Sequence, residues 1–152
     1  MNDLLKENEI VITDFFDNTG KLLIPLISDT GNKNLKQLIS LLIEQVKIKD
    51  RRNPTKTIKI NETLKGNQLR KFYDSFNHIY NSKIEEQQKK VQLLMLKSNA
   101  EYSANRLTIK RFGIFLKNRI NIVLKKEGAE FEKYMEALKL HFEALVGYFP
   151  KN

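Results

Sequence analysis

The sequence contains no cysteine and no tryptophan, and its 152 residues include only three prolines and six glycines. Without cysteine the chain can form neither disulfide bonds nor thiolate metal sites, as expected of a protein in a reducing compartment. The scarcity of proline and glycine favours a helical fold over one that is rich in turns. No stretch approaches the ~18 consecutive apolar residues of a membrane span, and the mixed charges of residues 1–7 predict no secretory signal. We therefore expect a soluble cytoplasmic protein without membrane contact.

The patterns that usually mark a catalytic or metal site are also missing. The chain has only two histidines, His78 and His141, and no cysteine that could complete a zinc site with them. Glu85 and Glu86 are adjacent, so their carboxylates would diverge on a helix instead of forming a pair. No glycine-rich phosphate loop and no Gly-x-Ser-x-Gly motif occurs. We therefore predict no catalytic residues, no metal site and no cofactor, with His78 on a polar helix face and His141 in a packing or interface position.

Positive charge is in excess and is concentrated in two blocks. The chain has 27 Lys and Arg residues against 18 Asp and Glu residues, a formal net charge of +9. Residues 47–71 contain nine basic residues and two acids, and residues 102–126 contain seven basic residues and no acid. Residues 127–152 reverse the sign, with five glutamates and three lysines. Segregated positive charge is typical of proteins that bind a polyanion, although a lysine-rich solvated surface would give a similar excess.

Apolar residues at helical spacing predict the first long helix. The positions that form its apolar face are Leu35, Leu38, Ile39, Leu42, Ile43 and Val46. Asn34 is placed to cap this helix, and Gln37 at the third helical position completes a capping box. Because Pro54 disfavours helical geometry before it, the helix is predicted to fade over residues 49–54. The basic segment 51–65 is poor in apolar residues and is predicted to be a loop.

Four more helices are predicted from the same kind of spacing. Their apolar faces are formed by Leu69, Phe72, Tyr73, Phe76, Ile79 and Tyr80, then by Ile84, Val91, Leu94, Met95 and Tyr102, then by Ile109, Phe112, Leu116, Ile120 and Val123, and finally by Phe131, Tyr134, Met135, Leu138, Phe142, Leu145, Val146 and Phe149. Thr63 or Asn67 is placed to cap the second helix. The third and fourth helices are predicted over about residues 83–105 and 108–126, and Pro150 ends the fifth.

The N-terminal residues show no clear periodicity. Asn18-Thr19-Gly20 and Asp29-Thr30-Gly31-Asn32 interrupt two apolar stretches, and strands, a short helix and a flexible arm all fit this pattern. The sequence as a whole predicts an all-α protein of about five helices that form a small elongated helical bundle. We expect two parts, a variable N-terminal arm at residues 1–33 and a helical bundle domain at residues 34–152.

Basic residues on the predicted helices are the candidates for contacting a polyanion. They are Arg70, Lys71, Arg106, Lys110, Lys117 and Arg119. Arg70 and Lys71 lie near a predicted helix start, where backbone donors and the helix dipole favour a phosphate. Arg106, Lys110 and Lys117 project within about 40° of one another on a helical wheel, beside an apolar stripe. Such side chains contact successive phosphates and supply affinity without reading sequence.

Three segments, in this order, are similar to one known family. They are Asn67-Gln68-Leu69-Arg70-Lys71-Phe72-Tyr73, Glu101-Tyr102-Ser103-Ala104-Asn105-Arg106 and Phe142-Glu143-Ala144-Leu145-Val146-Gly147-Tyr148-Phe149. The family is the small subunit of the type III-A CRISPR (Csm) RNA-guided effector complex. It shows a Ser/Thr-Gln-Leu-Arg-Lys-Phe-like helix start, a Tyr-x-x-x-Arg pattern and a terminal helix with Phe-Glu-Ala. Here Asn67 replaces the family's Ser or Thr, and Gly147 replaces its Ala.

The resemblance implies a five-helix, non-enzymatic subunit of which several copies stack along the complex. It implies that these copies contact guide RNA and target RNA through their phosphates and stabilise the duplex, beside backbone ribonuclease subunits and a large polymerase-like subunit. By position in the motifs, Arg70 and Arg106 are the implied RNA contacts, and the other basic candidates rest on charge alone. Glu143 and Tyr148 are implied to make packing or subunit contacts.

Two other functions also fit the residues. A basic helical DNA-binding regulator would need a helix with Asn, Gln or Arg aimed at base edges, whereas the fourth helix is predicted to expose mostly Lys and Arg. An assembly protein could carry the same charge for solubility alone. For Arg106, a structural salt bridge to Glu101 or Glu143 is the alternative to an RNA contact.

Overall fold

The computed structural model describes residues 7–49, 52–53, 55–61, 64–107 and 109–150, and for residues 45–49, 57–61, 106 and 107 it describes the backbone alone. The elements are α1 (Leu35–Ile43), β1 (Gln45–Lys49), β2 (Thr57–Asn61), α2 (Gly66–Asn81), α3 (Glu86–Leu107), α4 (Lys110–Leu124) and α5 (Gly128–Tyr148). Residues 7–10 are also helical, and Ile24–Leu26 form a single 3-10 turn. The predicted all-α class is confirmed, with one small hairpin added between α1 and α2.

Helix α1 begins as the sequence predicts. The Asn34 side chain accepts a hydrogen bond from the Gln37 amide at 3.1 Å, and the Gln37 side chain accepts one from the Asn34 amide at 3.2 Å. This reciprocal capping box satisfies two amides that a helix start would otherwise leave without acceptors. The helix ends at Ile43, where Glu44 turns to an extended conformation. The prediction that it continues through Val46 is therefore wrong.

The chain after α1 forms an antiparallel hairpin, in which Lys47 of β1 pairs with Lys59 of β2. Lysine alternates with valine or isoleucine along both strands. This period of two, together with the β-branched residues, favours a strand over a helix or a loop. The predicted loop over residues 51–65 is therefore wrong for the part that forms β2.

Helices α2 to α5 lie close to their predicted spans. α2 begins at Gly66 after Lys65, so Asn67, one of the two predicted caps, lies inside the helix. The other predicted cap, Thr63, falls outside the described residues. Pro150 follows α5 as predicted. Among the described helices, none has the length and apolar character that a membrane crossing requires.

Aromatic side chains form the centre of the core. Phe112 and Phe115 of α4 stack with their ring centroids 5.9 Å apart, and Phe115 meets Phe142 of α5 edge-on at 6.2 Å. Phe76 of α2 stacks on Phe142 with centroids 6.1 Å apart. Each such burial stabilises the fold by about 1.5–3 kcal/mol relative to exposure. Three helices are thus held together around four phenylalanines. The sequence pattern placed Phe76, Phe112 and Phe142 in the core, whereas Phe115 was not among the predicted core positions.

Helices α3 and α4 approach each other where both carry small residues. A Cβ atom added to Gly113 of α4 would lie only 2.6 Å from the Cβ atom of Ala104 in α3. Ala104 and Ala100 are both buried on this side of α3. The absence of larger side chains here lets the two backbones come close.

The side of α3 that faces the core is not the predicted one. The buried positions are Leu93, Leu96, Ala100 and Ala104. Four of the predicted core positions, Val91, Leu94, Met95 and Tyr102, are exposed by 48, 45, 63 and 64%. At 100° per residue these four positions lie on the opposite side of the helix, and we call them the α3 apolar stripe. The helix is apolar on two sides, and the side with the smaller residues packs on α4.

The N-terminal segment packs into the same core as the helices. Ile10, Phe15 and Leu26 are buried together with the helical core residues. The Asn118 side chain of α4 accepts a hydrogen bond from the Ile12 amide and donates one to the Ile12 carbonyl, both at 3.0 Å. Burial and hydrogen bonds therefore both hold this segment on the bundle.

Candidate nucleic-acid interface

Arg70 lies in a cleft between the start of α2 and the end of α5, which we call the Arg70 cleft. The cleft has a volume of about 360 Å³ and is lined by Gly66, Asn67, Leu69, Arg70, Val146, Phe149 and Pro150. A Cβ atom added to Gly66 would lie 3.8 Å from Cδ2 of Phe149, so the two helix ends lie close together. The Arg70 side chain is exposed at this junction.

Two of the three motif segments meet beside this cleft. One segment opens α2 and another closes α5. The Tyr73 ring of the first lies 5.4 Å, centroid to centroid, from the Phe142 ring of the second. Residues that are far apart in the sequence are therefore brought together around Arg70 by the packing of α2 on α5.

The start of α2 is electropositive. Its first turn contains no acidic residue, and Lys65, Arg70 and Lys71 are all exposed there. Among the described side chains, no carboxylate forms an ion pair with Arg70 or Lys71. The first amides of a helix lack intrahelical acceptors and carry partial positive charge. This arrangement suits a phosphate or a similar anion.

Arg106 and Lys110 lie on either side of the junction between α3 and α4. Arg106 belongs to the last turn of α3, and its side chain is outside the described part of the structure. Lys110 is the first residue of α4 and is exposed. Ile109 between them has φ −111° and ψ 48°, which is not helical. The helical wheel predicted to carry both residues therefore does not apply, because they belong to different helices.

Lys117 of α4 forms an ion pair with Glu101 of α3, with Nζ 3.5 Å from Oε1. Because both side chains are about half exposed, the pair contributes less than about 1 kcal/mol and leaves Lys117 accessible. Glu143, the other acid considered as a partner for Arg106, lies 3.7 Å from the ammonium of Lys139. Both acids thus have a lysine partner in the structure.

Arg119 is not on the surface, because its guanidinium is buried in the core. The residue is only 2% exposed. Its Nε donates a hydrogen bond to Nε2 of His141 at 3.2 Å, and its Nη1 donates to the Ile10 carbonyl and to Oδ1 of Asn118. The guanidinium also lies over the Phe115 ring, 4.5 Å from the centroid. The prediction that Arg119 contacts RNA is therefore wrong.

The sequence contains a signal for this burial. The residues spaced at i, i+4, i+7 and i+11 along α4 are Phe112, Leu116, Arg119 and Val123, which form one helix face. Arg111 is also buried, and its Nη1 donates hydrogen bonds to the Leu41 carbonyl at 3.0 Å and to Glu44. Arg111 and Arg119, two of the seven basic residues in the segment 102–126, are thus buried. Less positive charge is therefore exposed than the sequence count suggests.

The two histidines occupy opposite environments, and both agree with the predicted positions. His78 is exposed beside a groove between α2 and α3. His141 is fully buried, with Nδ1 2.6 Å from the Leu26 carbonyl. Burial, and then the nearby charge of Arg119, lower the pKa of His141 to about 3, so the ring is neutral. Within the described residues, no group of three or more His, Asp or Glu side chains could hold a metal ion.

Two exposed surfaces lie outside the basic candidates. Glu143 and Tyr148, which the sequence suggests as contact residues, are both exposed on α5. The α3 apolar stripe is the second exposed surface, and sequence reasoning missed it because its residues were assigned to the core. Contiguous exposed apolar side chains are typical of surfaces that contact another protein.

Comparison with known proteins supplies a family for most of this structure. A family model described as Csm2 Type III-A matches residues 47–150, which is more than half of the chain. No curated protein and no solved structure matches the chain. The matched span contains helices α2 to α5, and with them the Arg70 cleft and the junction between α3 and α4.

Proposed function

The chain belongs to the Csm2 Type III-A family, the small subunit of the type III-A CRISPR effector complex, and we propose that it contributes RNA binding rather than catalysis. In this proposal the subunit contacts the phosphates of the guide RNA and of the bound target RNA. These contacts stabilise the duplex between the two strands during antiviral defence in the cytoplasm. The subunit itself uses no cofactor.

The arrangement around Arg70 is the observation that carries the proposal. A guanidinium can bind a phosphate through two parallel N–H···O hydrogen bonds. Gly66 and Asn67, whose amides open α2, line the same cleft as Arg70 and would add backbone donors. An exposed arginine beside a helix start and without a described carboxylate partner is suited to hold one phosphate of an RNA backbone.

Further RNA contacts are proposed at the other basic residues that remain accessible. Lys71 is exposed next to Arg70, and Lys110 is exposed at the start of α4. Lys117 is a weaker candidate, since Glu101 neutralises part of its charge. Arg106 is also proposed as an RNA contact, because of its place in the Tyr-x-x-x-Arg motif. All of these contacts would be made to phosphates, so they would add affinity without base specificity.

The α3 apolar stripe is proposed as a surface for contacting other subunits. It extends over about 17 Å of helix and ends at Tyr102. The proposed partners are other copies of this chain, the backbone ribonuclease subunit and the large polymerase-like subunit. Glu143 and Tyr148 are proposed to make further contacts from the end of α5.

Capture of target RNA by the assembled complex, measured between 50 and 200 mM salt, tests the Arg70 site. Arg70→Ala should weaken binding similarly for unrelated sequences and reduce the salt slope by about 0.7 for a single strand. Lys83→Ala is the matched control, because it removes one exposed positive charge beyond the opposite end of α2, which lies about 16 Å along the helix from Arg70. The control should keep the wild-type slope.

The same measurement separates the proposed sites from one another and from an assembly function. An unchanged salt slope for Arg70→Ala would contradict the phosphate site at the start of α2. Arg106→Ala tests the second motif position in the same way. If replacing Arg106, Lys110 and Lys117 together left RNA retention unchanged, a pure assembly function would be the better conclusion.

A further inference from the structure

A cavity of about 560 Å³ lies between α1 and the N-terminal segment, apart from the Arg70 cleft and the α3 apolar stripe. Arg119 of α4 and His141 of α5 form its buried end, and its walls include the apolar side chains of Leu26, Leu38 and Leu41. We call it the α1 cavity. Its volume is in the range of pockets that hold small organic molecules.

Arg119 is a buried cation that has no carboxylate partner among the described residues. Its three hydrogen bonds go to neutral acceptors on His141, Ile10 and Asn118, and they use Nε and Nη1. Nη2 therefore has no described partner. Arg119 also lines the cavity, so its guanidinium lies where a ligand in the cavity could supply a further acceptor.

A buried positive charge is unfavourable unless a negative group or a set of acceptors compensates it. Burial lowers the pKa of Arg119 to about 9, so the guanidinium still carries its charge at neutral pH. An anionic group in the cavity beside Nη2 would supply the missing counter-charge. Because Arg119 itself is almost fully buried, this ion pair would be stronger than one between two exposed side chains.

The cavity entrance has a different character from its buried end. Glu9, Glu44 and the exposed Lys33 line the cavity, and Glu44 also pairs with Arg111. Gln37 and Ser40 of α1 are exposed and add an amide and a hydroxyl. Lys33 and Arg111 offset the two carboxylates, so the one uncompensated cation described at the buried end is Arg119, and the cavity suits a ligand with a single anionic group.

We propose that the α1 cavity binds a small organic monoanion. Its anionic group lies against Nη2 of Arg119, and its apolar body lies against the leucines of the wall. A carboxylate on a ring or on a short aliphatic body meets these requirements. The site is separate from the proposed RNA contacts, because Arg119 lines the α1 cavity whereas Arg70 lines the cleft at the start of α2.

The probes that test the proposal are 4-fluorobenzoate and 4-fluorobenzamide, which have nearly the same shape and differ in charge. Fluorine NMR of each probe with the full chain measures binding. We expect fluorobenzoate to bind saturably with a dissociation constant below about 10 mM. Fluorobenzamide should bind at least about tenfold more weakly, because it cannot form the charged hydrogen bond. 4-Fluorophenyl phosphate should also bind more weakly than fluorobenzoate, because of its second charge.

Ser40→Phe fills the entrance without changing Arg119 and should abolish fluorobenzoate binding. Ser75→Phe is the matched control, since both serines are exposed and each donates its hydroxyl to the carbonyl four residues earlier in its helix. The control should bind like the wild type. The proposal is overturned by no saturable binding, by equal affinity for the benzoate and the benzamide, or by unchanged binding in Ser40→Phe.

Discussion

Arg119 and His141 share a buried hydrogen bond that determines the protonation of the histidine. Nε of Arg119 donates to Nε2 of His141, so Nε2 carries no proton. The proton of the neutral ring must then lie on Nδ1, which donates to the Leu26 carbonyl at 2.6 Å. The pair therefore connects α4, α5 and the N-terminal segment through one neutral imidazole.

The pH dependence of stability should report on His141. In the unfolded chain a histidine has a pKa of about 6.5, whereas burial and Arg119 lower the pKa of His141 to about 3 in the folded chain. Between these values the unfolded chain binds a proton that the folded chain does not bind. The free energy of unfolding should therefore fall by about 2 kcal/mol from pH 7 to pH 5, as measured by urea denaturation.

Two substitutions assign this effect to one histidine. His141→Gln removes the titrating ring while leaving a carbonyl that can accept from Arg119, so its stability should depend less on pH between pH 7 and pH 5. His78→Gln changes an exposed histidine and should keep the wild-type dependence. Identical pH dependence in the wild type and both variants would contradict the role given to His141.

Substitution by alanine should destabilise the fold at Arg119 but have little effect at Lys110. Arg119→Ala leaves Nε2 of His141 and the Ile10 carbonyl without their donors, so it should destabilise the fold by at least about 2 kcal/mol. Lys110→Ala removes an exposed side chain and should change stability by less than about 0.5 kcal/mol. Chemical denaturation of both variants checks this, and equal stability of the two would contradict the burial of Arg119.

Local signals in the sequence predicted the helices and several of their ends. The capping box of Asn34 and Gln37 depends on residues three positions apart, and Pro150 stops a helix through its own ring. Such features act within one turn, so they can be recognised without knowing the fold. The end of α1 was missed, because the pairing of β1 with β2 depends on residues on both sides of the hairpin.

The orientation of α3 could not be predicted from its own sequence, because both sides of the helix are apolar. Helix α4 determines which side of α3 is buried, because Gly113 permits a close approach only to the small side chains around Ala104. The Arg70 cleft has a similar origin. Arg70 was recognised as a candidate from its own segment, but the position of Phe149 close to Gly66 arises from tertiary packing.

Gly113→Ala and Gly147→Ala should change stability in opposite directions. A methyl group at Gly113 would overlap the Cβ atom of Ala104, only 2.6 Å away. The free energy of unfolding of the variant should therefore be about 1–3 kcal/mol lower than that of the wild type. Gly147 also lies within a helix, and no atom lies within 4 Å of a Cβ added there. Alanine at this position should therefore raise the free energy of unfolding by up to about 1 kcal/mol, because it has the higher helix propensity. Thermal and urea denaturation measure both, and a stabilised Gly113→Ala would contradict the close crossing of α3 and α4.

The α3 apolar stripe should be needed for assembly but not for folding. Met95→Lys places a charge in the stripe, whereas Asn81→Lys places the same charge at an exposed position at the end of α2, away from the stripe. Both residues are exposed, so the free energy of unfolding of each isolated variant should differ from that of the wild type by less than about 0.5 kcal/mol. If the stripe is covered by another subunit, Met95→Lys loses a buried apolar contact and should associate at least about tenfold more weakly. Copurification with a tagged large subunit measures this, and equal recovery of the two variants would show that Met95 stays exposed in the complex.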